Sequence, residues 1–182
     1  VALPVFLANQ LDWAHEAVGA FLALWVIGYG VVQSSAPRLL TRTGNSTAEV
    51  LATRQLGFFL GVTATALAVL VAIDVARTWV VVIGLIVFGI VFAMNSALHS
   101  FLVLAYSNDD GVALDVGFYY SANAAGRLVG TLLSGLLFLA GGLTVALVGC
   151  AVFVVLTWML TLRLPALPDG THPSLASVKT SD

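Results

Sequence analysis

Five apolar stretches follow one another along the chain, separated by short polar connections. They cover residues 17–36, 56–73, 79–106, 117–140 and 144–162, named spans A to E. A helix rises 1.5 Å per residue, so about 20 residues cross the roughly 30 Å hydrocarbon core of a bilayer. Helices close their backbone hydrogen bonds internally, and the alternating polar pattern of a barrel is absent. The pattern predicts an all-α polytopic membrane protein. Residues 1–10, with Pro4 near the start, read as the end of a truncated transmembrane helix. Residues 11–164 read as a five-helix transmembrane bundle. Residues 165–182, rich in Pro, Ser, Thr and Asp, read as a disordered cytoplasmic tail.

Polar residues are unevenly divided among the spans. Span A carries Tyr29, Gln33, Ser34 and Ser35, span C carries Asn95, Ser96, His99 and Ser100, and span D carries Tyr119, Tyr120, Asn123, Arg127 and Thr131. Spans B and E are almost wholly apolar or small. Polar groups at membrane depth face protein or water, so A, C and D are expected to line an interior, with B and E bracing them against lipid. Arg127 is the one formally charged side chain inside these spans. A guanidinium at the bilayer centre costs about 2.5–3.5 kcal/mol on insertion scales, which makes it the leading site candidate.

Depth arithmetic extends the site. Arg127 lies about 15 Å from Gly117, near mid-membrane, and Asn95 lies about 16 Å from Tyr106 on the oppositely directed span C. If C and D are neighbours, Asn95 meets Arg127 in height and His99 meets Asn123. Residues four apart share a helix face, so Tyr119, Asn123, Arg127 and Thr131 form one stripe and Trp25, Tyr29 and Gln33 another. The substrate-binding candidates are Arg127, Asn123, His99, Asn95, Gln33 and Tyr29. Each also has a structural reading: Arg127 as a lock between helices, the Asn, Gln and His side chains as inter-helix hydrogen bonds, and the tyrosines as interfacial belt residues.

Composition narrows the class. The chain is 60% hydrophobic and 9% charged, with mean hydropathy +1.04, far from the roughly 25% charge of soluble domains. No basic patch points to nucleic acid. No His, Cys, Asp or Glu cluster suggests a metal, no cofactor is implied, and no phosphate-binding Gly-Lys loop or nucleophile elbow suggests a motor or hydrolase. The chain is read as a non-enzyme. No Asp or Glu falls inside the spans as bounded, so a proton-coupling carboxylate would lie outside them unless His99 does that job. Arg38, Arg42, Arg54, Arg163 and Lys179 gather on one side against Arg77 on the other, so the positive-inside rule puts the 37–55 connection and the C-terminus in the cytoplasm.

An outward helix end followed by five spans, a basic central loop and the division between A, C, D and B, E resembles the C-terminal half of a major facilitator superfamily transporter. Arg42-Thr43-Gly44 is similar to a remnant of that family's cytoplasmic loop motif. The runs VIGYGVVQSSAPRLL (26–40), ALHSFLVLAYSNDDGVAL (97–114) and VGFYYSANAAGRLVGTLLSG (116–135) resemble the superfamily's organoarsenical efflux branch. The resemblance implies a bacterial inner-membrane permease. Its cargo would be a small anionic organic substrate, 1-arseno-3-phosphoglycerate, exported to give arsenate resistance. It also implies an N-terminal half of the same protein, absent from this sequence, as the partner within the lipid bilayer. Two other readings stay open: an exporter of another organic anion or drug, and a non-transporting membrane scaffold subunit.

Overall fold

The computed structural model describes residues 1–40, 46–75, 77–107 and 112–165. Its elements are α1 (Ala2–Gln10), α2 (His15–Leu40), α3 (Ser46–Ala72), α4 (Arg77–Tyr106) and α5 (Val112–Thr161), with no strand among the described residues. The Arg42-Thr43-Gly44 remnant and residues 166–182, read as the tail, lie outside the described residues. Helices α2 to α5 are each long and apolar enough to cross a membrane.

At 50 residues, α5 would run about 75 Å if straight, more than twice the hydrocarbon core. It breaks instead at Gly141 and Gly142, the latter with φ 68° and ψ −159°. A side chain avoids that conformation and glycine adopts it freely. Two arms result, and Leu137 of the first packs against Gly149 of the second, so the chain doubles back. With this break five long helical segments follow α1 among the described residues.

The end of the bundle at Gly142 is the hinge end, and the end at residues 162–165 is the tail end. At the hinge end, Phe6, Leu7, Val18, Leu67, Val71, Val81 and Leu143 form one buried cluster that draws every helix together. Two turns there use Asp12 at φ 58° and Asp74 at φ 59°; Asp tolerates the left-handed region because its short side chain can bond locally. Asp74 also pairs with Arg77 at 2.5 Å. At the tail end, Val50 and Leu102 are buried under Phe101, Ala105, Tyr106 and Leu164.

Helix α3 begins ten residues before span B was expected to start. The segment from 46 to 55 holds good helix formers, and Glu49 in its first turn suits the positive end of the helix dipole. The consequence corrects the sequence reading. Glu49 lies inside the helix and is 1% exposed, so an acidic residue is buried in the bundle after all.

Helix α3 and the second arm of α5 make the tightest seam. A Cβ added at Gly57 would sit 3.0 Å from the Trp158 ring, and one at Gly61 would sit 3.4 Å from Val155. The first arm is different. Every residue from 121 to 132 is exposed. Helix α1 reaches the arm beyond that stretch, where the Ala2 amide donates to Ser134 Oγ at 3.3 Å.

Candidate functional site

Helix α4 separates two environments. On its α2 side, Trp25 stacks on Tyr29 with ring centroids 5.9 Å apart and planes 17° apart, and Tyr29 lies 5.7 Å from Phe92. The Trp25 indole N–H donates to the Leu85 carbonyl at 2.7 Å. That approach requires glycine at position 89, where a Cβ would meet indole Nε1 at 2.9 Å. One turn along the α2 stripe, Gln33 Nε2 donates to Ser96 Oγ at 3.5 Å. A groove of about 420 Å³ opens beside them, lined by Phe21, Trp25, Tyr29, Ile86 and Gly89 among others. Tyr29 and Gln33 therefore share one face.

Asn95 and His99 turn the other way. They line a cavity of about 140 Å³ with Gly57 of α3 and with Thr157, Trp158 and Thr161 of the second arm of α5. The His99 Nδ1 atom lies 2.9 Å from the Asn95 carbonyl oxygen. A carbonyl can only accept, so Nδ1 is the donor in this contact. Asn95 is 7% exposed, and its side-chain oxygen is buried with no hydrogen-bond partner. Thr157 and Thr161 spend their hydroxyl hydrogens on Phe153 and Thr157 carbonyls, each at 2.9 Å, leaving oxygen lone pairs. Leu60, Phe92, Phe153 and Val154 make the rest of the lining apolar.

This arrangement corrects the expected division of labour. The second arm of α5 and α3, expected to brace the bundle against lipid, also wall a small, mostly apolar cavity that Asn95 and His99 reach. The polar residues of α4 do not form one set: 95 and 99 share one face, while 96 and 100 are rotated about 100° from it. Ser96 meets Gln33 on α2, and Ser100 Oγ lies 3.4 Å from the Tyr119 hydroxyl on the first arm. Pooling the four residues concealed that split.

The first arm carries Asn123 and Arg127, both exposed. Among the described residues the Arg127 guanidinium has neither an ion pair nor a hydrogen bond. The structure does not bring Arg127 or Asn123 to Asn95 or His99; matching heights do not become contacts. At about 100° per residue, Phe118, Val129 and Leu136 lie on the side of the arm opposite Arg127, and their exposures are 77%, 53% and 63%. The arm is amphipathic, with an apolar side for lipid and a stripe of Tyr119, Asn123, Arg127 and Thr131. Gly57, Thr157, Trp158 and Thr161 were missed by sequence reasoning. The four-residue spacing of the two threonines was the available signal. No group of acidic, His or Cys residues among the described residues could hold a metal.

These features define a multi-pass helical membrane protein. A family model described as Major Facilitator Superfamily matches residues 1–180. The chain belongs to the major facilitator superfamily, a family of membrane transporters. No curated protein and no solved structure matches it.

Proposed function

We propose that the protein containing this chain is a secondary transporter exporting an anionic organoarsenical, 1-arseno-3-phosphoglycerate, across a bacterial inner membrane. Arsenate resistance follows from that export, and the tail end and C-terminus face the cytoplasm. The observation carrying this reading is the unpaired Arg127 on an amphipathic arm whose opposite side is apolar. Lipid suits Phe118, Val129 and Leu136; the guanidinium needs water, protein or an anion. A planar guanidinium presents paired donors that match arsenate and phosphate oxygens. Further helices of the same protein cover the stripe and complete a passage, with Asn123, Gln33 and Tyr29 as the other contacts. Asn95 and His99 stand behind α4, away from this stripe. The arsenical itself is supported by the likeness of the three runs at 26–40, 97–114 and 116–135.

The test is arsenate resistance in a sensitive host that co-expresses a glyceraldehyde-phosphate dehydrogenase. Arg127→Ala in the full-length protein is expected to abolish resistance. Arg127→Lys keeps the charge, loses the fork and is expected to lose most of it. Normal resistance in both variants, at equal protein levels, overturns the reading. A second reading, export of another organic anion or drug, is favoured by the aromatic groove at Phe21, Trp25 and Tyr29. Export of a dye that is blocked by Trp25→Ala but indifferent to Arg127→Ala would select it.

A further inference from the structure

The outer seam between α3 and the second arm of α5 is grooved. Two open furrows, of about 400 and 390 Å³, lie along it and share Thr65 and Val155. They join into one trough, bounded by Phe58 and Ala72 on α3 and by Trp158 and Val148 on the arm. Residues 58 to 72 rise about 21 Å, against about 15 Å for half of a roughly 30 Å hydrocarbon core. The trough is dry. Val62, Val69, Val152 and Leu156 stand half-exposed along it. Its polar groups are spent within the chain: the Thr65 hydroxyl donates to the Gly61 carbonyl at 2.8 Å, and the Trp158 indole N–H to the Arg54 carbonyl at 3.1 Å. Length and lining suit an extended hydrocarbon chain.

The tail end of the trough is basic. Arg54 precedes Phe58 by four residues and shares its face of α3. Arg163 follows Leu156 by seven residues, and the helix period returns it to within about 20° of that side chain. The backbone carries this register past α5, with the Leu162 amide donating to the Trp158 carbonyl at 3.2 Å and the Arg163 amide to the Leu160 carbonyl at 3.0 Å. Arg163 is exposed, and among the described residues its guanidinium has neither an ion pair nor a hydrogen bond. Arg54 gives one N–H to the Leu164 carbonyl at 2.8 Å, and its Nε is buried without a partner. Phe58 and Trp158, with ring centroids 5.5 Å apart, stand between the arginines and the aliphatic part of the trough. Aromatic rings favour that level, where the membrane meets water. Glu49, the acidic residue on α3, is buried, rotated about 140° from Arg54, and does not line the trough.

We propose that this trough holds one anionic phospholipid from the leaflet on the tail-end side, with an acyl chain along the seam and the phosphate on Arg163 and Arg54. Lipid tails outside are as apolar as the trough, so the chain alone gains little by entering it. The head group therefore carries the selectivity, and the trough fixes where the head group sits. A guanidinium fork matches phosphate oxygens, and basic pockets between membrane helices hold anionic head groups. A zwitterionic lipid brings its own cation beside the phosphate and gains less. The site stands apart from Arg127, and the proposal does not depend on what the protein transports.

Native mass spectrometry of the full-length protein in detergent, titrated with phosphatidylglycerol or phosphatidylcholine, tests it. One phosphatidylglycerol is expected to bind at least tenfold more tightly than phosphatidylcholine. Arg163→Gln is expected to bring the two lipids to within about twofold of each other. Ala66→Phe places a ring in the trough from an exposed position, so it should weaken phosphatidylglycerol at least fivefold with the melting temperature unchanged. Equal binding of the two lipids to the wild type overturns the proposal, and so does a preference that survives Arg163→Gln. Binding indifferent to Ala66→Phe would remove the chain from the trough and overturn it as well. Displacement of phosphatidylglycerol by glycerol 1-phosphate at comparable concentration would make this a site for a free phosphate ester instead of a lipid. A dimer that Ala66→Phe dissociates would give the trough to a second copy of the chain, again against the proposal.

Discussion

The two arms of α5 differ in polarity and have opposite fates. The second arm lies in a seam against α3, where Trp158 covers Gly57 and its indole N–H donates to the Arg54 carbonyl at 3.1 Å. The first arm is exposed through twelve consecutive residues, 121 to 132, which include Arg127. Lipid tails are as apolar as leucine, so helices in a membrane associate through close packing and hydrogen bonds rather than through hydrophobicity. The second arm has both. The first arm has a polar stripe awaiting a partner. Stability is therefore concentrated in one arm and the proposed transport chemistry in the other, and substitutions should separate the two.

The largest effect on stability is expected at Trp158. Aromatic-to-alanine changes in cores cost about 3–5 kcal/mol; Trp158 is half-buried, so about 2–4 kcal/mol is expected for Trp158→Ala. Leu136→Ala, on the apolar side of the first arm, should cost under about 0.5 kcal/mol, as exposed positions generally do. Reversible denaturation of the full-length protein in mixed micelles measures both. Equal losses would erase the distinction between the arms.

Much of the bundle was legible in the sequence, because apolar run length and helix rise follow from chemistry that packing does not alter. The break between spans D and E was readable for the same reason, with Gly141 and Gly142 between two runs. The start of α3 was not. A helix there extends past its apolar run through residues that are good helix formers yet polar, and only packing shows that Glu49 and Thr53 turn inward. The candidate residues were legible one by one, but not their grouping. Arg127 stood out because a charge in lipid is costly, and the Tyr29–Gln33 face followed from four-residue spacing. The pairing of α4 with its neighbours did not follow, since Asn95 and Ser96 are adjacent in sequence but look into different spaces. A threonine bonded to its own helix also disguises polarity, so Thr157 and Thr161 read as ordinary span residues.

A smaller effect probes close approach. Gly89→Ala places a methyl at 2.9–3.0 Å from the Trp25 ring, and overpacking of this kind costs about 1–3 kcal/mol. The indole should swing out and lose its bond to the Leu85 carbonyl, which tryptophan fluorescence would report as a red shift. Gly126→Ala on the first arm meets nothing within 4 Å. There the higher helix propensity of alanine should make the change neutral or stabilising by up to about 1 kcal/mol. A destabilising Gly126→Ala in the full-length protein would sharpen the comparison, because it would show another helix seated close to the first arm.

A last pair of effects belongs to the tail end, where the second arm of α5 is tied down. Just beyond the end of the helix two side chains donate to the backbone: Arg54 Nη2 to the Leu164 carbonyl at 2.8 Å and the Tyr106 hydroxyl to the Pro165 carbonyl at 2.6 Å. The charged donor should matter more, with Arg54→Met costing about 1.5–3 kcal/mol by the usual range for charge-assisted bonds. Tyr106→Phe removes a neutral bond from a partly wet carbonyl and leaves the ring packing on Val50 and Leu102 intact, so about 0.5–1 kcal/mol is expected. Hydrogen exchange at the amides of 162–164 is the sensitive readout. Those amides bond to Trp158, Leu160 and Thr161 carbonyls, and loosening the last turn should speed their exchange several-fold while the amides around Arg127 keep their rates. Uniform acceleration along both arms would mean that the arms open as one unit, and the contrast between a fixed arm and a working arm would fail.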